Sequence, residues 1–214
     1  METKKESRIT DTLKVTLHFS IAFAVYWITS TGVAIAMEHA EFAFLSKDKL
    51  YTAFFAGVVE ELLFRFLLIS VLLIRCREKK QLYKALVIST VLFALAHGAN
   101  IFYGAGIGVS ILQMISSLAM GTAFGLLFLR TKNILPGMFL HTVHDIIALS
   151  AVGATDESGV ITHAITPASV VDLLLVIVMG IVLFLCYCRQ SEIDRMLNLW
   201  KKKTNKKTSE GESE

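Results

Sequence analysis

Six apolar runs, each near 20 residues, alternate along the chain with short polar or basic stretches, at 15–37, 50–74, 85–103, 107–129, 134–152 and 168–188. A helix rises about 1.5 Å per residue, so about 20 apolar residues cross a hydrocarbon core about 30 Å thick. The pattern predicts an all-α polytopic membrane bundle of about six transmembrane helices joined by short loops. It divides the chain into a cytoplasmic segment over 1–14, a membrane domain over 15–188 with its unusual polar residues within 50–152, and a cytoplasmic tail over 189–214. The first run follows Lys4, Lys5 and Arg8 and holds Ala34-Ile35-Ala36, a signal-peptide-like arrangement. Its apolar stretch exceeds the usual 7–15 residues of a signal, so it is read as a retained helix.

Composition supports lipid as the main solvent. Hydrophobic residues make up 54% of the 214 positions and charged ones only 18%, and mean hydropathy is +0.61, which leaves too little charge to cover a soluble domain. Eighteen of the 21 Lys and Arg fall before Val15, between Arg75 and Lys84, at Arg130 and Lys132, or after Cys188. Basic residues near helix ends are retained in the cytoplasm, so both termini are expected there, in a multi-pass protein of the cell membrane. The other three are Arg65, inside a run, and Lys47 and Lys49, in loops on the other side, where Glu38, Glu41, Asp156 and Glu157 also fall. The net charge of +3 sits where anionic headgroups would meet it and calls for no nucleic-acid partner. Cys76, Cys186 and Cys188 fall at predicted cytoplasmic helix ends, where thiols stay reduced and no disulfide is expected.

Beyond the last run, Ile193, Leu197 and Trp200 recur at helical spacing beside Arg195 and Lys201, which suits either a helix on the inner leaflet or a solvated extension of the last span. The polar stretch from 201 reads as disordered. The Gly-rich link at 100–106 and the loop at 153–167 read as turns or mobile loops. Gly121 and Gly125 form a small-xxx-small pattern, the signature of close helix packing.

Several residues are expensive where they stand. Glu60, Glu61 and Arg65 lie inside the second run, His97 inside the third, and His141, His144 and Asp145 inside the fifth. An ionisable group in the bilayer costs several kcal/mol unless paired or hydrated, and marks a functional-site hypothesis. Glu60 lies about 15 Å from one end of its span, while His97 and Asp145 lie about 19 and 16 Å from the other ends of theirs, so all can meet near mid-membrane. His141 falls a turn nearer the cytoplasm, which suggests a site open to the inner face. Residues four apart on a helix share a face whereas adjacent ones diverge. Glu61 can therefore pair with Arg65, leaving Glu60 free to act as a general base or metal ligand. Asp145 can orient the His141 ring or assist it directly, and Phe93 can wall the site beside His97. His144 suits an interhelical hydrogen bond as well as a supporting role, and His18, His39 and His163 receive none.

Together, Glu60-Glu61-Leu62-Leu63-Phe64-Arg65, Phe93-Ala94-Leu95-Ala96-His97 and His141-Thr142-Val143-His144-Asp145 resemble the E-E-x-x-x-R, F-x-x-x-H and H-x-x-x-(N/D) motifs of the CAAX protease and bacteriocin-processing family. The resemblance covers about 50–152 and implies a helical intramembrane endopeptidase, related to the type II CAAX prenyl endopeptidase that trims prenylated proteins. It also implies links to peptide maturation and bacteriocin immunity. By motif position, Glu60 and His97 would activate water, His141 and Asp145 would stabilise the oxyanion, and Glu61 with Arg65 would support them. Asp145 stands where the eukaryotic form has Asn. Ionised, it cannot donate to an oxyanion, so it must carry a proton, orient His141 or ligate a metal. Glu60, His97 and His141 are ligand types that zinc accepts. An anionic cluster in low dielectric needs a counter-charge and favours a metal-assisted site, although a metal-free glutamate mechanism is also compatible with these residues and no H-E-x-x-H helix is present.

The expected partners are the bilayer and a peptide or membrane-protein substrate. A non-proteolytic binding or immunity protein on the same fold is one alternative, because a fold does not certify an activity. A small transporter or proton relay is another, although the spans lack the paired broken helices of transporters.

Overall fold

A computed structural model of the chain describes residues 2–152 and 165–201. The predicted loop at 153–167 lies mostly outside the described residues, and so does the tail beyond 201. Every predicted apolar run becomes a helix. They are α1 (Glu2–Glu38), α2 (Lys47–Glu60) continuing through a π-helical segment (Glu61–Ile69) into α3 (Ser70–Leu72), α4 (Lys79–Gly98) with a 3₁₀ turn (Ala99–Tyr103), α5 (Ile107–Thr131), α6 (Leu135–Ser150) and α7 (Pro167–Tyr187). A last helix, α8 (Gln190–Trp200), follows.

Among the described residues, four helices are long and apolar enough to cross a membrane, over Arg8–Glu38, Lys79–Tyr103, Ile107–Thr131 and Pro167–Tyr187. The other two predicted spans are helical but fall short of that standard. The segment from Lys47 to Leu72 carries Glu60, Glu61 and Arg65, and α6 has only 16 residues and carries His141, His144 and Asp145. The polar residues that lower their hydropathy are the candidate site itself. Outward-facing Leu17, Ile21 and Val25 on α1 and Val178, Ile181 and Leu185 on α7 are exposed, as suits helices solvated by lipid.

Helix starts follow local chemistry. The Ser46 hydroxyl accepts the Lys49 amide at the head of α2, and a Thr166–Ser169 capping box with Pro167 at the first turn opens α7. The π segment was not legible in the sequence. Ala53, Gly57, Glu61, Arg65, Ile69 and Leu73 are all buried, one every four residues. On an α-helix each step of four drifts by about 40°. The wider π turn reduces that drift, so the stripe keeps facing the bundle.

Close packing depends on small residues. A Cβ at Gly125 would collide with Leu86, and one at Gly121 would press on Phe93 at 3.2 Å and Thr90 at 3.3 Å, so this pair brings α5 against α4 as the small-xxx-small pattern predicts. Between α2 and α6, a Cβ on Gly57 would lie 2.7 Å from the Thr142 amide nitrogen.

The basic end of the bundle is tied by α8. Ile193, Met196 and Trp200 are buried against the protein, so the apolar face of this helix is taken up by the bundle rather than by the leaflet or by solvent. Arg130 on α5 reaches Asp11 on α1 at 2.7 and 3.0 Å and Glu192 on α8 at 2.5 Å, and the Trp200 indole donates to the Leu129 carbonyl at 2.8 Å. Cys76, Cys186 and Cys188 are free thiols.

Candidate active site

The second run places two adjacent acids at the junction of α2 and the π segment. Glu61 is fully buried and its Oε1 lies 3.0 Å from Arg65 Nη1, one helical turn on, the pair that the spacing predicted. The guanidinium is not aimed at the carboxylate for a directed hydrogen bond, so charge rather than alignment holds them. The Arg65 guanidinium lies 4.0 Å from the Phe93 ring centroid and 5.6 Å from that of Phe124, where aromatic faces attract a cation. Gly121 leaves room for it, since a Cβ there would lie 3.4 Å from Nη2.

His141 is brought to this pair by α6. Gly137, one turn earlier, faces the Glu61 carboxylate so closely that a Cβ would sit 3.0 Å from Oε2, and the next turn carries the imidazole into place. His141 Nδ1 is 3.1 Å from Glu61 Oε1. Its Nε2 faces Glu60 Oε2 at 3.6 Å and Asp145 Oδ2 at 3.8 Å. The carboxylate that holds the ring at hydrogen-bond distance is therefore Glu61. Asp145, although it shares the His141 face, stands too far from Nε2 for a direct bond. Phe124 stacks on the imidazole at 5.0 Å and Phe93 meets it edge-on at 5.8 Å.

His97 comes from α4. Its Nδ1 is 2.9 Å from the Phe93 carbonyl of its own helix, so Nδ1–H donates there and the neutral ring offers Nε2 as an acceptor. Phe93 packs edge-on against this ring at 4.6 Å, as the sequence predicted for a wall residue. His144 accepts the Trp27 indole N–H at 3.3 Å, which is the interhelical hydrogen bond.

Glu60, His97, His141, His144 and Asp145 line a single cavity of about 750 Å³. Its upper wall holds residues that the sequence reading passed over. Asp172 on α7 accepts from the Tyr26 hydroxyl at 2.9 Å and the Ser30 hydroxyl at 2.5 Å on α1, and Asn100 donates to Gln113 at 2.7 Å. Asp172 was detectable as an acid inside an apolar run. Phe124 carried no such signal. Among the described residues the lining comes from the half of the bundle away from the basic end, and the half on the basic side of His141 is filled by Phe19, Phe23, Ile69 and Leu127.

Zinc was expected at Glu60, His97 and His141. Both imidazoles have Nδ1 occupied and Nε2 free, the outer-shell arrangement that metal-binding histidines use. Among the described residues, however, no three His, Cys, Asp or Glu side chains are grouped so as to hold an ion. The residue types are ones that zinc accepts, and no chemical step below runs through a metal.

Residues 44–147 match the family model for type II CAAX prenyl endopeptidase Rce1-like proteins, and this stretch contains all three motifs. No curated protein and no solved structure matches the chain.

Proposed function

We propose that the chain is an intramembrane endopeptidase of the cell membrane, because residues 44–147 match the model of a protease family consistent with the CAAX protease and bacteriocin-processing resemblance. It hydrolyses a bond in a membrane-associated peptide or protein. The observation that carries this reading is the placement of Glu60. Its Oε2 has no hydrogen-bond partner among the described residues and faces His141 Nε2 across 3.6 Å, inside the cavity.

Glu60 takes a proton from water, and His97 Nε2 accepts a second hydrogen bond that orients the attacking oxygen. The oxygen bonds the peptide carbonyl carbon. In its imidazolium form His141 donates Nδ1–H to Glu61 and Nε2–H to the carbonyl oxygen as negative charge grows there. Asp145 supplies counter-charge on the Nε2 side, and Arg65 neutralises Glu61. The tetrahedral species collapses as protonated Glu60 gives its proton to the leaving amine, so one water is consumed and an acid and an amine are released.

Glu60→Gln keeps the size of the side chain and removes the base. Activity is expected to fall by about 10²–10⁴-fold while the protein inserts and folds as before. Comparing the processed peptides of cells that carry wild type and Glu60→Gln tests this, and a Gln variant that still cleaves at the wild-type rate refutes it.

A further inference from the structure

His144 lines the same cavity as Glu60, His97 and His141 and has no part in the reaction described above. It stands one helical turn beyond His141 on α6, where side chains three apart project from one face with Cβ atoms about 5–6 Å apart. His97 and His141 both lie within electrostatic reach of it. An indole N–H donates and never accepts, so the 3.3 Å contact from Trp27 Nε1 requires a lone pair on His144 Nδ1. An imidazolium has none. The bond therefore assigns His144 as the neutral tautomer with its proton on Nε2. Among the described residues Nε2 meets no hydrogen-bond partner, and it is the free edge of a ring whose other edge is tied to α1.

Packing ties this ring to the one already in the mechanism. Trp27 packs on Phe23 of its own helix at 5.5 Å, Phe23 stacks on Phe124 at 5.2 Å, and Phe124 stacks on His141 at 5.0 Å. One aromatic run thus sets both imidazoles, His141 by stacking and His144 through the Trp27 bond. Its α1 members lie outside the 44–147 stretch that the family model covers.

The charge of the lining gives such a donor its use. Glu38, Glu60, Asp145 and Asp172 line the cavity and, among the described residues, no Lys or Arg does. Negative charge growing on a carbonyl oxygen is repelled by ionised acids and needs N–H groups aimed at it. Of the three imidazoles in the lining, His97 has its N–H tied to the Phe93 carbonyl, which leaves His141 and His144 with an N–H to give. We propose that His144 Nε2–H is a second donor to the carbonyl oxygen of the bond being cleaved, beside His141 Nε2–H. The ring keeps its proton throughout, and no covalent bond forms or breaks on it. The role rests on the endopeptidase reading above.

His144→Asn and His144→Gln separate this role from a purely structural bond. An Asn amide reaches the position of Nδ1, so it keeps an acceptor for Trp27 and loses the cavity donor; a Gln amide reaches the position of Nε2. The probe is a peptide that wild-type cells process and Glu60→Gln cells leave intact, synthesised with a fluorophore and a quencher across the cleaved bond and given to purified full-length protein. His144→Asn is expected to lower kcat by about 10²–10³-fold with KM little changed, and His144→Gln to recover most of that loss. An Asn variant at the wild-type kcat, a loss confined to KM, or a Gln variant no better than the Asn overturns the proposal. Wild-type processing by Glu60→Gln cells removes the endopeptidase and this role with it, whereas an inactive Glu60→Gln beside a fully active His144→Asn removes only the role of His144.

Discussion

Glu61→Gln removes the carboxylate that faces both Arg65 and His141 and leaves the guanidinium where it is. Glu61 and Arg65 are each 0% exposed and lie 3.0 Å apart. Removing one partner of a buried pair costs about 3–5 kcal/mol, because the other charge stays desolvated. The contact of Arg65 with the Phe93 ring at 4.0 Å is already present in the wild type and offsets none of this. The Gln amide oxygen can still accept Nδ1–H from His141, so the loss falls mainly on Arg65. For a chain of this size such a loss lowers the thermal midpoint by about 6–20 °C. The midpoint of purified protein in detergent measures it. Glu61→Gln/Arg65→Leu, which removes both charges of the pair, should recover most of the difference. A single variant that melts with the wild type would refute the reasoning, since the pair would then be solvated or paired in another way.

Two further outcomes follow from the packing and from the ligand geometry. Gly57→Ala places a methyl 2.7 Å from the Thr142 amide nitrogen, and pushing α2 from α6 should cost about 1–3 kcal/mol; it should also lower activity, because His141 and Glu60 sit on the separated helices, and unchanged melting and cleavage would contradict it. Since no three ligands are grouped to hold an ion among the described residues, activity should survive chelation in a preparation that elemental analysis finds metal-poor, and loss on chelation with recovery on adding zinc would show that the ligand set assembles in the working enzyme.

What the sequence made legible lies mostly within single helices, where covalent geometry fixes the distances. The apolar runs became helices, Glu61 met Arg65 at a spacing of four, Phe93 walled His97, and Gly121 with Gly125 brought α5 to α4. What stayed hidden depends on how two helices face each other. The Glu61 bond to His141 is set by the approach of α6 at Gly137, and the Asp172 bonds to Tyr26 and Ser30 by the approach of α7 to α1. Depth counted along each helix could not locate the cavity, because its extent depends on where Phe19, Phe23 and Leu127 fill the bundle. The stripe of α8 predicted an amphipathic helix, yet nothing in the stripe says whether lipid, water or protein covers it.

The adjacency of Glu60 and Glu61 has a physical account that neither residue provides alone. Neighbours on a helix point about 100° apart, so two acids in succession cannot serve the same partner from the same side. An imidazole has two nitrogens on different edges of its ring. In this bundle Glu61 turns inward, towards Arg65 and Nδ1, while Glu60 turns into the cavity and faces Nε2. One acid fixes the orientation of the ring and has its charge cancelled; the other keeps a carboxylate oxygen without a hydrogen-bond partner, facing the nitrogen that the first has oriented. Exchanging the two roles would require turning the helix by that same angle. Arg65 would then swing from between Phe93 and Phe124 towards the cavity, and Gly57 would leave Thr142. The buried stripe at every fourth position, maintained through the π segment, holds the helix against that rotation and so keeps Glu60, the proposed base, in the cavity.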